Sequence, residues 1–210
     1  MSLYIPKFIS MKDLAPSAAY DLIFQNVARF IELTDEEKAL FKSFLKEGSA
    51  RRKEFVLQPG EVTNYEYFVT KGCLKVYSMD KNGAEHVSMF AIEDFWTGDM
   101  ASFMLRQPST YFIKALEDSE FLMLSKQNFE RLFEEIPQFE RFYRNLYQRS
   151  LLSYISRTNE GISLTAEERY EIFLSKYPQI ASRIKQKDMA AYLGITPEFL
   201  SMIRSKISKR

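Results

Sequence analysis

Apolar positions along this chain change period twice, and each change marks a different kind of structure. From position 18 to about 30, Leu22, Phe24, Val27, Phe30 and Ile31 follow a helical stripe. Thr34 and Glu37 have the spacing of a capping box, so a second helix carrying Ala39, Leu40, Phe41, Phe44 and Leu45 is expected to run to Gly48. Over 52–125 short β-rich runs take over, at 54–57, 65–70, 74–79, 84–90, 110–115 and 120–124. Pro59-Gly60, Lys71-Gly72 and Asn82-Gly83 punctuate them, and Asn-Gly is a strong hairpin signal. Many short strands at this spacing predict a small antiparallel barrel or jelly roll. The helical period returns at Lys126, with a short helix over 128–135 and a long one over 138–157. Thr158 to Gly161 reads as a hinge, Thr165 caps a helix over 166–177, and Pro178 ends it. Residues 1–17 carry only the punctuation of Pro6 and Pro16.

The stretch from Gln186 to Ser205 has a pattern of its own. Met189, Ala190 and Leu193 form the inner stripe of a short helix, which Gly194 breaks where a left-handed residue is wanted. Thr196 offers a side-chain N-cap and Pro197 suits the first helical position. The second helix is expected to bury Phe199, Leu200, Ile203 and Ile207 and to turn Glu198, Ser201, Met202 and Ser205 outward. Two helices, a tight turn and an outward polar face are what a helix-turn-helix DNA reader requires.

Charge strengthens that reading. The chain has a net charge of +1. Between Gln179 and Arg210, seven cations (Arg183, Lys185, Lys187, Arg204, Lys206, Lys209, Arg210) face only Asp188 and Glu198, a local net of +5 that leaves −4 for the rest. Positive charge gathered around the two-helix unit is the footprint of phosphate binding. Composition narrows the alternatives. At 46% apolar and 15% aromatic, 210 residues suffice for two small cored domains. No apolar run is long enough for a membrane span and no secretory leader is visible, which suits a cytoplasmic protein. One cysteine, Cys73, cannot hold a cluster or an internal disulfide, and one histidine, His86, falls short of the several ligands of a metal-cupin site, so a cupin-like barrel enzyme is a poor alternative. An enzyme is therefore not expected.

A β-barrel, a long helix and a C-terminal helix-turn-helix, in that order, resemble the Crp/Fnr family of bacterial transcription regulators. Pro59-Gly60-Glu61, the Tyr67-Phe68-Val69 to Gly72 segment, and Asp80 with Gly83 sit where that family has its barrel turns. The resemblance implies an α+β chain: an antiparallel jelly-roll barrel of the cyclic-nucleotide-binding type with flanking helices over 1–137, a central dimerisation helix over 138–157, and a helix-turn-helix domain over 158–210. It implies a homodimer on double-stranded DNA, and RNA polymerase as a partner if the chain activates transcription. The dimer face falls on Phe139, Phe142, Tyr143, Leu146, Ser150 and Tyr154. The DNA face falls on Lys185, Lys187, Thr196, Pro197, Glu198, Ser201, Met202, Arg204, Ser205 and Lys206. Effector-pocket candidates are Trp96, Gly98, Asp99, Met100, Ser109 and Thr110; no cofactor or metal is expected, only a small-molecule effector of unknown identity.

Two departures from the family pattern matter. Cyclic-nucleotide binders place a glutamate on the ribose and an arginine on the cyclic phosphate; here the matching positions read Gly98-Asp99 and Ser109-Thr110-Tyr111, with Arg106 displaced in sequence. Burying a phosphate with no cation is costly, so cyclic AMP is not expected to bind. A barrel that serves only as a ligand-independent dimer scaffold is the alternative. The family's recognition helix also carries arginines that are absent here, where Glu198 remains for a cytosine amino group and Met202 for a thymine methyl.

Overall fold

The computed structural model describes residues 16–208, so Pro6 and the terminal Lys209 and Arg210 lie outside the described residues. The first helix, α1 (Pro16–Ala28), lays Ile23 and Val27 into the core. Next, α2 (Asp35–Phe44) starts on the expected capping box: the Glu37 amide donates to the Thr34 hydroxyl, and the Thr34 amide donates to the Glu37 carboxylate. It stops at Phe44, earlier than expected, because the chain turns directly into a strand, β1 (Leu45–Ala50). Every residue of β1 pairs antiparallel with β8 (Ser119–Ser125). Gly48 belongs to that strand, where an added Cβ would lie 2.6 Å from the Phe121 ring.

Six further strands follow: β2 (Phe55–Leu57), β3 (Tyr65–Lys71), β4 (Leu74–Met79), β5 (Glu85–Ala91), β6 (Trp96–Thr97) and β7 (Phe112–Ala115). They form two four-stranded sheets, ordered β1-β8-β3-β6 and β2-β7-β4-β5, with every pair antiparallel. This is the jelly roll that the short runs predict. Leu57, Tyr67, Val69, Leu74, Val76, Ile113 and Phe121, drawn from both sheets, fill the interior. Gly72 makes a tight corner at φ +92, where a Cβ would fall 2.7 Å from the Asp118 carbonyl, so only glycine fits there.

Alternation along β3 sends Phe68 to the opposite face, under the helices. There it joins Leu122 and Leu124 of β8 and the apolar faces of α1, α2, α4 (Lys126–Glu135) and the long α5 (Phe139–Ser163) in a second core. Trp96 belongs to this core: its indole N–H donates to Asn26 (3.1 Å) and its ring meets Phe142 and Tyr143. Phe139, Phe142 and Tyr143, expected on a dimer face, are instead buried here, and Leu146 packs against the same cluster. These three aromatic side chains are thus spent on the core of their own chain, while Glu140, Arg141 and Arg144 of the same turns are exposed. Glu66 of β3 is 7% exposed at the same seam. The Tyr147 hydroxyl donates to its Oε1 at 2.9 Å, while Oε2 and the Tyr143 hydroxyl have no hydrogen-bond partner. Burial pushes the Glu66 carboxyl up to about 7, outweighing the Tyr147 hydrogen bond and the charge of Lys126.

The expected hinge at 158–161 does not form; α5 runs through it for 25 residues. Glu160 explains this, since it accepts from Ser156 (2.9 Å) and from Lys176 (2.6 Å) of α6 (Ala166–Lys176). Gly161 sits in open space and is carried within the helix at a cost of about 1 kcal/mol. Only Leu164 and Thr165 separate α5 from α6, which opens on a second capping box, Thr165 with Glu168. Pro178 follows α6 and also takes the first position of α7 (Pro178–Arg183), a short helix that the sequence pattern did not announce.

Candidate nucleic-acid interface

The C-terminal pattern becomes two helices, α8 (Gln186–Leu193) and α9 (Pro197–Ile207). Gly194 takes the left-handed C-cap (φ 68), and the Ile195 amide donates back to the Ala190 carbonyl at 3.0 Å. The Thr196 hydroxyl accepts from the Phe199 amide (3.2 Å), and Pro197 fills the first position. The two helix starts are tied by Gln186 donating to the Pro197 carbonyl. Met189, Ala190, Leu193, Leu200 and Ile203 are buried together, so the outer face of α9 has a fixed orientation.

All ten residues expected on the DNA face are exposed: Lys185, Lys187, Thr196, Pro197, Glu198, Ser201, Met202, Arg204, Ser205 and Lys206. Lys206 also pairs with Glu167 of α6 at 2.6 Å, which offsets part of its charge. Phe199 corrects the sequence reading. It is 44% exposed and stands on the outer face beside Met202, at 61%, because Leu200 and Ile203 already occupy the inner stripe.

Sequence reasoning missed how firmly this unit is seated on the barrel. One apolar cluster joins Cys73, Tyr77, Val87, Phe90 and Ile92 of the barrel to Tyr170, Phe173, Ile180, Met189 and Leu193. Within the joint, Lys75 of β4 pairs with Asp188 of α8 at 2.7 Å, both side chains 3% exposed, and with Glu85 of β5 at 2.8 Å. Burial lowers the Lys75 ammonium, but its bonds to Asp188 and Glu85 outweigh that and hold it above its ordinary value. Arg183 bridges Glu93 (2.6 Å) and Glu117 (2.7 Å). The Arg157 guanidinium stacks on Tyr192 and donates to the Val87, Ser88 and Tyr192 carbonyls. The one available signal was Asp188 itself, a carboxylate set among cations in the first turn of a helix.

A crevice of about 260 Å³ opens at this joint, and the cations on its wall are engaged within the chain. Arg169 donates to the Leu193 carbonyl, Lys176 holds Glu160, and Arg157 holds its three carbonyls. His86 at its edge bonds Asp80 at 3.1 Å. The Cys73 thiol is fully buried in the joint, and burial pushes it up to about 12, so it is neither nucleophile nor ligand at neutral pH.

The effector candidates are spread over different surroundings. Asp99 caps the short helix α3 (Met100–Leu105), accepting from the Ser102 amide, and the Ser109 hydroxyl donates to its other oxygen at 2.7 Å. Ser109 also accepts from the Tyr111 amide. Asp99 and Ser109 are thus buried and bonded to each other, Met100 and Thr110 are exposed, Gly98 is half-buried, and Trp96 lies in the helical core. Arg106 does not substitute for the missing cation: it takes the left-handed C-cap of α3 (φ 57) and donates to the Thr63 carbonyl and the Asn64 side chain, both at 2.8 Å. A phosphate placed at this site would meet the Asp99 carboxylate.

Part of the chain matches a known domain, and its fold is shared with solved structures. Residues 47–136 match the cyclic nucleotide-binding domain. The anaerobic regulatory protein of Pasteurella multocida (strain Pm70) is 23% identical over 174 residues, covering 76% of this chain and 62% of the relative, so the chain spans about three-fifths of that protein's length. FixK2 from Bradyrhizobium japonicum superposes with a TM-score of 0.70 at 21% identity, over 79% of this chain and 85% of that one. The c-di-GMP responsive global regulator CLP of Xanthomonas campestris gives 0.68 at 16% identity, over 84% and 92%. Residues 47–136 thus match the cyclic nucleotide-binding domain, within a chain that shares the fold of FixK2 and CLP.

Proposed function

We propose that this chain is a homodimeric, sequence-specific DNA-binding transcription regulator of the cytoplasm whose barrel does not take cyclic AMP. The observation that carries the reading is the outer face of α9, exposed along its length and flanked by Lys185, Lys187 and Arg204, on a two-helix scaffold whose inner stripe is buried. Such a face suits the major groove: Glu198 accepts from a base amino group, and the flanking cations hold phosphates. In an activator, RNA polymerase is the further partner.

The dimer contact moves along α5 from where the sequence put it. Leu151, Ile155, Thr158 and Ile162 are exposed and separated by four, three and four residues, the spacing of a coiled-coil seam. Ser150 and Tyr154 flank that seam, also exposed.

Selection of bound duplexes from a random pool tests the reading. A palindromic consensus is the expected result; no enrichment together with no binding to any duplex would overturn it. On the selected site, Glu198→Ala is expected to relax preference at one base pair per half-site, by about 1–3 kcal/mol, whereas Arg204→Ala weakens all sequences alike. A ligand-independent scaffold is the second reading, and the Ser109–Asp99 bond favours it. Calorimetric titration with cyclic AMP is expected to show no micromolar binding, and micromolar affinity would refute the closed-cassette interpretation.

A further inference from the structure

We infer that Phe199 and Met202 together read thymine 5-methyl groups in the major groove; the inference rests on the DNA-reading function proposed above. Both side chains stand on the exposed face of α9, amid Glu198, Ser201 and Ser205. They are three residues apart, hence neighbours on the helix surface, about 5–6 Å between Cβ atoms. That separation lets them address adjacent base pairs.

The chemistry selects the base. In the major groove adenine, guanine and cytosine present hydrogen-bond donors and acceptors, and thymine alone adds a methyl group. A phenyl ring donates no hydrogen bond and a thioether accepts only weakly, so neither side chain discriminates among the other three bases by polar contact. Each gains instead by covering a methyl. Phe199 is a rigid ring, and the unbranched Met202 adapts to its neighbour. Glu198, alongside them, takes an exocyclic amino group. The half-site implied has thymines next to a base pair that offers an amino donor.

Deoxyuridine tests this directly, because it pairs as thymine does and lacks only the methyl. The full chain is assayed on its selected duplex with each thymine replaced in turn. At one or two positions per half-site the replacement is expected to weaken binding by about fourfold, the worth of one buried methyl-sized group. Phe199→Ala and Met202→Ala, both at exposed positions, are expected to bind the thymine duplex more weakly and to lose the difference between thymine and deoxyuridine at one position each. Equal affinity for all thymine and deoxyuridine duplexes would overturn the inference while leaving DNA reading intact. So would a thymine preference that survives in both variants. Strengthening by 5-methylcytosine without any deoxyuridine effect would move the methyl to cytosine and overturn the thymine assignment. Failure to bind any duplex would overturn both this inference and the function on which it rests.

Discussion

Lys75→Met is expected to destabilise the folded chain by about 3–5 kcal/mol. Lys75 is the only cation paired with Asp188 among the described residues, and both side chains are sealed from solvent. Glu85, the other partner of Lys75, is more exposed and can return to water. Asp188 cannot, and would keep a buried charge with no counter-charge. Asp188→Leu is the milder change, because Lys75 keeps Glu85. The double variant Lys75→Met/Asp188→Leu is expected to recover most of the loss, since a well-packed apolar pair often matches a buried ion pair in stability. Chemical denaturation of the three variants at pH 7 measures this. Purely additive losses, or less than about 1 kcal/mol for Lys75→Met, would show that the pair is solvated in solution.

The second large effect is a pH dependence centred on Glu66. Its carboxyl is raised from an ordinary 4.5 to about 7, first by burial, so the folded chain favours the neutral acid. A raised value gives a contribution that is complete below pH 4.5 and is lost as pH rises through 7. The shift corresponds to about 3 kcal/mol. Glu66→Gln, similar in shape and uncharged, is expected to flatten this part of the stability profile and to leave the variant more stable than the natural chain at pH 8. Tyr147→Phe removes the hydrogen bond that favours the ionised form and should steepen the loss. Denaturation between pH 5 and 8, followed by Trp96 fluorescence, provides the measurement. An unchanged slope in Glu66→Gln would assign the dependence to another group.

Local chemistry made much of this structure legible in the sequence. The capping residues Thr34, Thr165 and Thr196, the left-handed Gly194 and the six β-rich runs all act within a few residues of themselves, and each produced its element. What stayed hidden depends on partners far along the chain. β1 reads as Leu-Lys-Glu-Gly-Ser-Ala, with no clear alternation, and is a strand because β8 pairs with it from Leu45 to Ala50. The break expected at Thr158–Gly161 is overridden by Glu160 and Arg157, whose partners lie on other elements. In the candidate site, the outward residues of α9 followed from its periodicity, but Phe199 did not. It borders the apolar stripe, and packing alone decides on which side it falls. Lys75 and Asp188 are 113 positions apart, and neither carries a local mark of the other.

The sealed thiol of Cys73 makes the natural chain well suited to site-directed labelling. A maleimide reagent reacts with thiolate, which this residue does not offer near neutral pH. A cysteine introduced at the exposed Ser205 would therefore take a spin label or dye alone, without removal of the native residue. In a two-fold assembly the two labels would report the spacing of paired α9 helices. Major-groove readers on successive turns require about 34 Å between half-site centres, so one distance measurement would relate the free protein to its bound geometry.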